Sequence, residues 1–288
     1  MAKPTSHFAH LMFYSTAKIG EPRINLTVRF GVIGDPVSHS LSPKMHRAAY
    51  AALGLDHNYE ACLVKREDLG GLQKNFSDFE GLNVTVPHKE AVCAYFALDE
   101  FAIRTGAANT LNLRTGQGIN TDGWGFVEVI AGLGVERVLV AGAGGTARSI
   151  MLALTLAGYR VSLWNRNLAR AAALVSELDV PAQVCSSLDI KGQDLVVNAT
   201  SSSLKGESLP IDWSCREPQT VFCDLYYSSG GTVFAKEARA AGANTIDGRE
   251  LLVAQGALSF EWWLETEAPR EVMRAAVFGN EDRTNNDV

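Results

Sequence analysis

One stretch constrains this chain more than any other. Residues 137–166, RVLVAGAGGTARSIMLALTLAGYRVSLWNR, spell a complete strand, turn, helix, strand unit. The apolar run 138–141 has the composition of a buried parallel strand, and it stops at Gly142, Gly144, Gly145 and Ala147, a GxGxxA spacing. A helix is expected over 148–158, closed by Gly158, and a second strand over 161–164. In such a turn the first glycine permits the tight bend, the second lets the backbone approach a pyrophosphate, and the small residue lets the helix lie close to the strand. Free amides and a partial positive charge at the helix start favour the same anion. The stretch therefore predicts dinucleotide binding.

The end of the second strand bears on which dinucleotide. A carboxylate there would hydrogen-bond the adenosine ribose hydroxyls of NAD. This chain has Asn165, Arg166 and Asn167, with Arg170 one helical turn later. A guanidinium offers a planar fork suited to a phosphate and a flat face for adenine, which favours NADP. The competing reading takes Arg166 and Arg170 as ordinary solvated charges at a helix start.

Bulk properties narrow the class. At 288 residues, with 47% hydrophobic and 20% charged, the chain can bury a full core and is expected to form two domains. A formal net charge of −6 and the lack of a basic run argue against a nucleic-acid surface. Cys62, Cys93, Cys185, Cys215 and Cys223 are scattered without metal-site spacing, as a reducing compartment tolerates. In the first 27 residues His7, His10 and Lys18 interrupt the short apolar run, leaving neither a signal core nor a span. The expectation is a cytoplasmic protein with an N-terminal extension over 1–27, acting on a small molecule as a monomer or homodimer, with no metal, membrane or nucleic-acid partner.

Before the glycine unit, 29–33 reads as a strand running into the turn-rich GDPVSHSLSP. A helix should begin beside Pro43 with Ser42 as its N-cap, which puts Ser40 and Ser42 at a loop-to-helix junction suited to a carboxylate. Capping alone would also account for Ser42. Residues 59–64 read as a strand and 66–75 as a helix. GLNVTVPHKE is a strand with Leu82, Val84 and Val86 on one face and Asn83 and Thr85 on the other; Pro87 breaks it, and Lys89 should fall in the first turn of the next helix. GAANTL and GINTDGWGF have the composition of site loops between short strands. Asp122 starts the connection to a helix over 124–133, whose N-cap it would also suit.

After the glycine unit, a helix over 168–178, a short strand near Gln183, and strands over 194–198 and 220–223 continue an alternation that marks a parallel sheet. Helices over 250–265 and 270–278 close the chain, with Gln255 among the apolar residues of the first.

Together these motifs resemble the shikimate dehydrogenase family. GDPVSHSLSPKMH, GLNVTVPHK, GAANT, NTDGWGF, GAGGTAR, NRN, NATSSSL, DLYY and LLVAQGALSF occur in that family's order, over about residues 29–263. The resemblance implies an α/β protein. Its N-terminal α/β substrate domain (28–121 with 249–288) would be joined by a Rossmann-like NADP-binding domain (122–248), the C-terminal helices returning to the first. It implies NADP-dependent interconversion of 3-dehydroshikimate and shikimate in aromatic amino-acid biosynthesis. Ser40, Ser42 and Tyr227 would hold or lie near the substrate carboxylate. Thr85, Asn109 and Gln255 would hold ring hydroxyls or catalytic groups, and Lys89 with Asp122 would form the reactive pair. The chemistry agrees: a ketone accepting hydride needs a proton donor within hydrogen-bond reach, and an ammonium coupled to a carboxylate can supply and recover that proton.

Three positions depart from the family pattern. Asn167 replaces a threonine expected to touch the 2′-phosphate, Glu250 in GREL stands where a glycine lies against the nicotinamide, and Ser203 is a milder change. Two rival expectations follow. One is a paralogue acting on quinate or an aminated relative, possibly with NAD. The other is a nucleotide-binding sensor without catalysis.

Overall fold

The computed structural model describes residues 27–228 and 230–279. All but the last residue of the expected extension over 1–27 therefore lie outside the described residues, as does the chain beyond 279. Two compact units divide the chain: a central unit over 122–251, and a split unit formed by the segments on either side of it.

In the split unit, six strands are ordered β2-β1-β3-β5-β6-β4: β1 (Arg29–Gly34), β2 (Asn58–Leu63), β3 (Phe79–Val84), β4 (Ala97–Leu98), β5 (Thr110–Asn112) and β6 (Gln117–Ile119). β1 pairs parallel with β2 and β3, whereas β5 is antiparallel to β3 and β6 antiparallel to β5. One consequence positions the site. The C-terminal ends of β1 and β3, the start of β5 and the end of β6 all reach the same edge of the sheet.

The two-residue period of the strands builds two apolar layers. Phe30 and Val32 of β1 join Tyr50, Tyr59, Phe260, Trp263 and Met273 on one face, beneath α1 (Ser42–Ala52), α9 (Gly248–Leu264) and α10 (Arg270–Phe278). Ile33 of β1 and Leu82 and Val84 of β3 join Val64, Leu69 and Leu72 on the other. Helix α9 approaches α1 closely at Gly256, where any Cβ would overlap the Met45 side chain.

The central unit holds a second six-stranded sheet, all parallel, ordered β12-β11-β10-β7-β8-β9. Its strands are β7 (Arg137–Ala141), β8 (Arg160–Trp164), β9 (Gln183–Cys185), β10 (Leu195–Asn198), β11 (Val221–Asp224) and β12 (Asn244–Ile246). Between them run α5 (Gly145–Leu156), α6 (Leu168–Leu178), α7 (Ser202–Lys205) and α8 (Val233–Ala240), with α4 (Asp122–Ile130) ahead of β7. The order places β7 between β8 and β10, where successive connections leave in opposite directions, the place at which sheets of this kind receive ligands.

Several local expectations are corrected. Ser42 is the first helical residue and Leu41 the cap, because Pro43 fits early in the helix and Leu41 already has helical angles. The 66–75 segment is a 3-10 turn (Arg66–Gly71) followed by one α-turn, α2 (Leu72–Asn75), the glycine pair at 70 and 71 falling where the first gives way to the second. β3 ends at Val84, so Val86 lies outside it and is exposed. Lys89 sits in a turn ahead of a four-residue 3-10 helix (Ala91–Ala94), too short to supply the helix field expected there. Helix α4 starts at Asp122, which lies in its first turn. A helix unexpected from the sequence, α3 (Glu100–Thr105), precedes the GAANT segment, capped by Asp99 and ended by left-handed Gly106.

Candidate active site

At the shared edge of the split unit's sheet, the loop after β1 carries Ser40, and α1 opens at Ser42. The Ser42 amide donates to Ser40 Oγ at 3.3 Å. Ser42 is buried while Ser40 is half-buried. Thr85 follows β3 and lies over the end of β1, where a Cβ at Gly34 would come within 2.5 Å of Thr85 Cγ2. The Thr85 amide donates to Ile33 O at 2.9 Å.

Two neighbours in the next turn separate in role. His88 is buried, its Nε2 2.7 Å from Val64 O, and so anchors the turn to the end of β2. Lys89 is half-buried, and its carbonyl accepts from the Ala108 amide at 2.9 Å, tying this turn to the GAANT segment.

Asn109 is 1% exposed and its carboxamide is oriented by the backbone. The Thr121 amide, which can only donate, reaches Asn109 Oδ1 at 2.8 Å, so Asn109 Nδ2 faces Thr121 Oγ1 (2.9 Å) and Gln255 Oε1 (3.2 Å). Thr121 Oγ1 donates to Gln255 O at 3.0 Å, fixing α9 against the loop. Ser40, Ser42, Thr85, Lys89, Asn109 and Gln255 thus all belong to the split unit.

Beneath them lies a network that the sequence reading did not single out: Tyr59, Asn83, Thr110, Thr121 and Ser259. The available signal was Asn83 itself, an amide alternating with Leu82 and Val84 in a central strand, where a polar side chain must find buried partners. Beside them His46 is fully buried, stacked on Tyr59 at 4.3 Å between centroids, with both ring nitrogens unpartnered among the described residues; burial lowers its pKa to about 3.

In the central unit the glycine turn has the expected build. Gly142 has φ +116°, and a Cβ there would come within 2.7 Å of Ala199 O. Gly144 precedes α5 in extended conformation, and a Cβ placed on it meets nothing within 4 Å. Gly145 opens the helix, whose start is three residues earlier than expected, and Ala147 is fully buried where helix meets strand. Open space before a helix start with free amides fits a pyrophosphate. After β8, Asn165 Nδ2 donates to Asn167 O at 2.8 Å, and Asn167 caps α6 by accepting from the Arg170 amide at 3.1 Å. The Arg170 side chain donates from Nε to Ala143 O at 3.0 Å, and Arg166 is exposed.

Asp122 is 3% exposed at the start of α4. Tyr227 follows β11, stacked on Tyr226. The loop after β10 is held by Asp224, which accepts from the Ser203 and Thr232 hydroxyls and from Asn198 Nδ2, while burial raises its pKa. Ser203, one of the departures from the family pattern, therefore has a structural partner. Gly248 at the start of α9 packs on the end of β11, a Cβ there reaching 2.7 Å from Leu225 O. Glu250 is half-buried in the first turn of that helix. Among the described residues no group of three or more His, Cys, Asp or Glu could hold a metal ion, and no helix is long and apolar enough to cross a membrane.

Known proteins match this organisation segment by segment. Residues 32–111 match the shikimate dehydrogenase substrate binding domain, 127–206 the shikimate / quinate 5-dehydrogenase family, and 248–278 the shikimate 5′-dehydrogenase C-terminal domain. The shikimate dehydrogenase (NADP(+)) of Methanocella arvoryzae is 42% identical over 259 residues, 85% of this chain and 96% of that protein. The enzyme of the same name from Desulfitobacterium hafniense is 38% identical over 266 residues, covering 86% and 97%. The crystal structure of shikimate 5-dehydrogenase from Thermus thermophilus, in complex with NADP(H) and shikimate, superposes with a TM-score of 0.78 at 34% identity, over 87% of this chain and 98% of that one. With its motifs in order, its two sheets built as described and relatives of this identity matched over nearly their whole length, the chain belongs to the shikimate dehydrogenase family.

Proposed function

We propose that this protein reduces 3-dehydroshikimate to shikimate and catalyses the reverse oxidation, with NADP as its cofactor. The observation that carries this reading is the meeting, at one sheet edge, of two serine hydroxyls, a threonine, an ammonium and two carboxamides: Ser40, Ser42, Thr85, Lys89, Asn109 and Gln255. That set suits a small, polyhydroxylated carboxylic acid. Relatives named for NADP(+)-dependent shikimate oxidation support the same substrate.

In this reading Ser40 and Ser42 receive the carboxylate, with Tyr227 contributing from the loop after β11. Thr85, Asn109 and Gln255 receive ring hydroxyls. Lys89 and Asp122 hold the proton that moves on and off the carbinol oxygen as its charge changes. Gly142, Gly144, Gly145 and Ala147 shape the pyrophosphate turn, and Asn165, Arg166 and Arg170 take the adenosine end with its 2′-phosphate. Bound NADP supplies the hydride; the protein supplies alignment and proton transfer.

The two functional domains would be 28–121 with 249–288 for substrate and 122–248 for NADP. A monomer or homodimer working in the cytoplasm fits the unpatterned cysteines and the acidic balance. Use of quinate with NAD is disfavoured, since arginines and not a carboxylate follow β8 and the relatives are named for NADP(+). The test is direct. Purified protein should form NADPH from NADP+ and shikimate, with a higher specificity constant than for quinate or for NAD+; no turnover with shikimate on either cofactor overturns the proposal.

A further inference from the structure

Two buried tyrosines share the aromatic layer beneath the substrate residues, and they differ in one respect. The Tyr50 hydroxyl has no partner among the described residues, although its ring packs against Phe30, His57 and Phe260. The Tyr59 hydroxyl has one: it donates to Asn83 Oδ1 at 2.7 Å. His46, stacked parallel on the Tyr59 ring, holds that phenol in place.

From Tyr59 a hydrogen-bond chain runs through Asn83 to Asn109. A carboxamide oxygen only accepts, so Tyr59 donates to Asn83. The Asn83 amide group then faces Ser259 Oγ (2.9 Å), Asn109 O (3.0 Å) and Thr110 Oγ1 (3.1 Å). Thr110 Oγ1 lies 3.2 Å from Asn109 Oδ1 and 2.7 Å from Ser259 Oγ, and Asn109 Nδ2, turned by the Thr121 amide, faces Gln255. The chain ends at two proposed substrate contacts.

We propose that Tyr59 is a positioning residue for substrate binding: its hydroxyl, donating to Asn83 Oδ1, holds the Asn83 amide against Asn109 O and so supports the Asn109 and Gln255 end of the site. This rests on the substrate reading given above. Without the phenolic hydroxyl, Asn83 Oδ1 is buried with no donor, a state the protein relieves by moving the Asn83 amide. A flipped Asn83 would set its oxygen against Asn109 O, so the disturbance passes to the residue that faces substrate.

Steady-state kinetics on four variants, with melting temperatures alongside, test this. In Tyr59→Phe the KM for shikimate should rise about tenfold, with a smaller change in kcat and a KM for NADP+ within about twofold of the parent. Ser259→Ala, which removes a different link and no aromatic ring, should shift the shikimate KM in the same direction, and it decides the matter if Tyr59→Phe does not fold. Tyr50→Phe should leave both KM values at the parent level. A normal shikimate KM in Tyr59→Phe and Ser259→Ala, while Asn109→Ala raises it, overturns the positioning role alone. An equal rise in Tyr50→Phe also overturns it, by assigning the effect to packing. A normal shikimate KM in Asn109→Ala overturns the substrate reading itself.

Discussion

Arg170 donates from Nε to the main-chain carbonyl of Ala143 at 3.0 Å, joining the first turn of α6 to the glycine turn after β7. The contact stations a guanidinium beside the proposed pyrophosphate site, with exposed Arg166 four residues earlier. Charge-assisted contacts to a phosphate are the strong ones, so removing both arginines should weaken NADP+ specifically. Arg166→Ala with Arg170→Ala is expected to raise the KM for NADP+ on the order of tenfold or more while leaving that for shikimate unchanged. Comparing NADP+ with NAD+ in the double variant checks this, and unchanged cofactor selectivity would place the 2′-phosphate elsewhere.

Gly142 and Gly144 should respond oppositely to alanine. At Gly142 the new side chain meets both a left-handed backbone and the Ala199 carbonyl, so Gly142→Ala should destabilise by about 2–4 kcal/mol. At Gly144 there is room, and the stability change should stay below about 1 kcal/mol, yet the methyl occupies the space proposed for pyrophosphate. Denaturant melts paired with NADPH titrations separate the two. Tight NADPH binding by Gly144→Ala would remove the pyrophosphate from that turn.

Lys89 and Asp122 are proposed to handle the proton, not to bind the ring. Lys89→Ala should therefore lose turnover on the order of a hundredfold to ten-thousandfold while still binding shikimate, and Asp122→Asn should follow it. Equilibrium binding beside kcat is the measurement. Full activity in Lys89→Ala takes the residue out of the mechanism.

His46 sets an acid limb on stability. Its imidazole is held neutral by burial, with a pKa lowered from 6.5 to about 3, so the unfolded chain binds a proton that the folded chain refuses. The contribution is complete above 6.5 and is lost as pH falls toward 3, at up to about 1.4 kcal/mol per pH unit. His46→Phe keeps an aromatic ring on Tyr59 and forfeits no hydrogen bond, so its unfolding free energy should vary less between pH 6.5 and 4. Asp194, held by Arg137 at about 2, acts only below its unfolded value of 3.8 and remains in the variant. Parallel pH dependence in parent and variant would exclude His46 as the cause.

Much of this site could be read from the chain because its parts are local. The glycine turn needs backbone freedom at Gly142 and space at Gly144, and both requirements are written in residue type. The boundaries of α6 and α10 match expectation at each end, since Asn167 is a cap and a proline precedes Arg270. Local signals misled where two of them competed. Ser42 looked like a cap, but Leu41 takes that position beside Pro43; the 66–75 segment looked helical, but its glycine pair interrupts it.

Sequence alone determined the unit types, the build of the glycine turn and the chemical identity of the residues proposed to meet substrate, because each depends on the intrinsic conformational preference or charge of a few neighbours. Tertiary structure decided how Asn109 is turned and what supports it. Its partners Thr121 and Gln255, and the chain through Ser259, Asn83 and Tyr59, come from distant segments, the bonded pair Asn83 and Ser259 being 176 residues apart. Hydrogen-bond direction is a property of atoms in contact, and only the antiparallel placement of β5 beside β3, with α9 packed over both Tyr59 and Asn83, brings those atoms together.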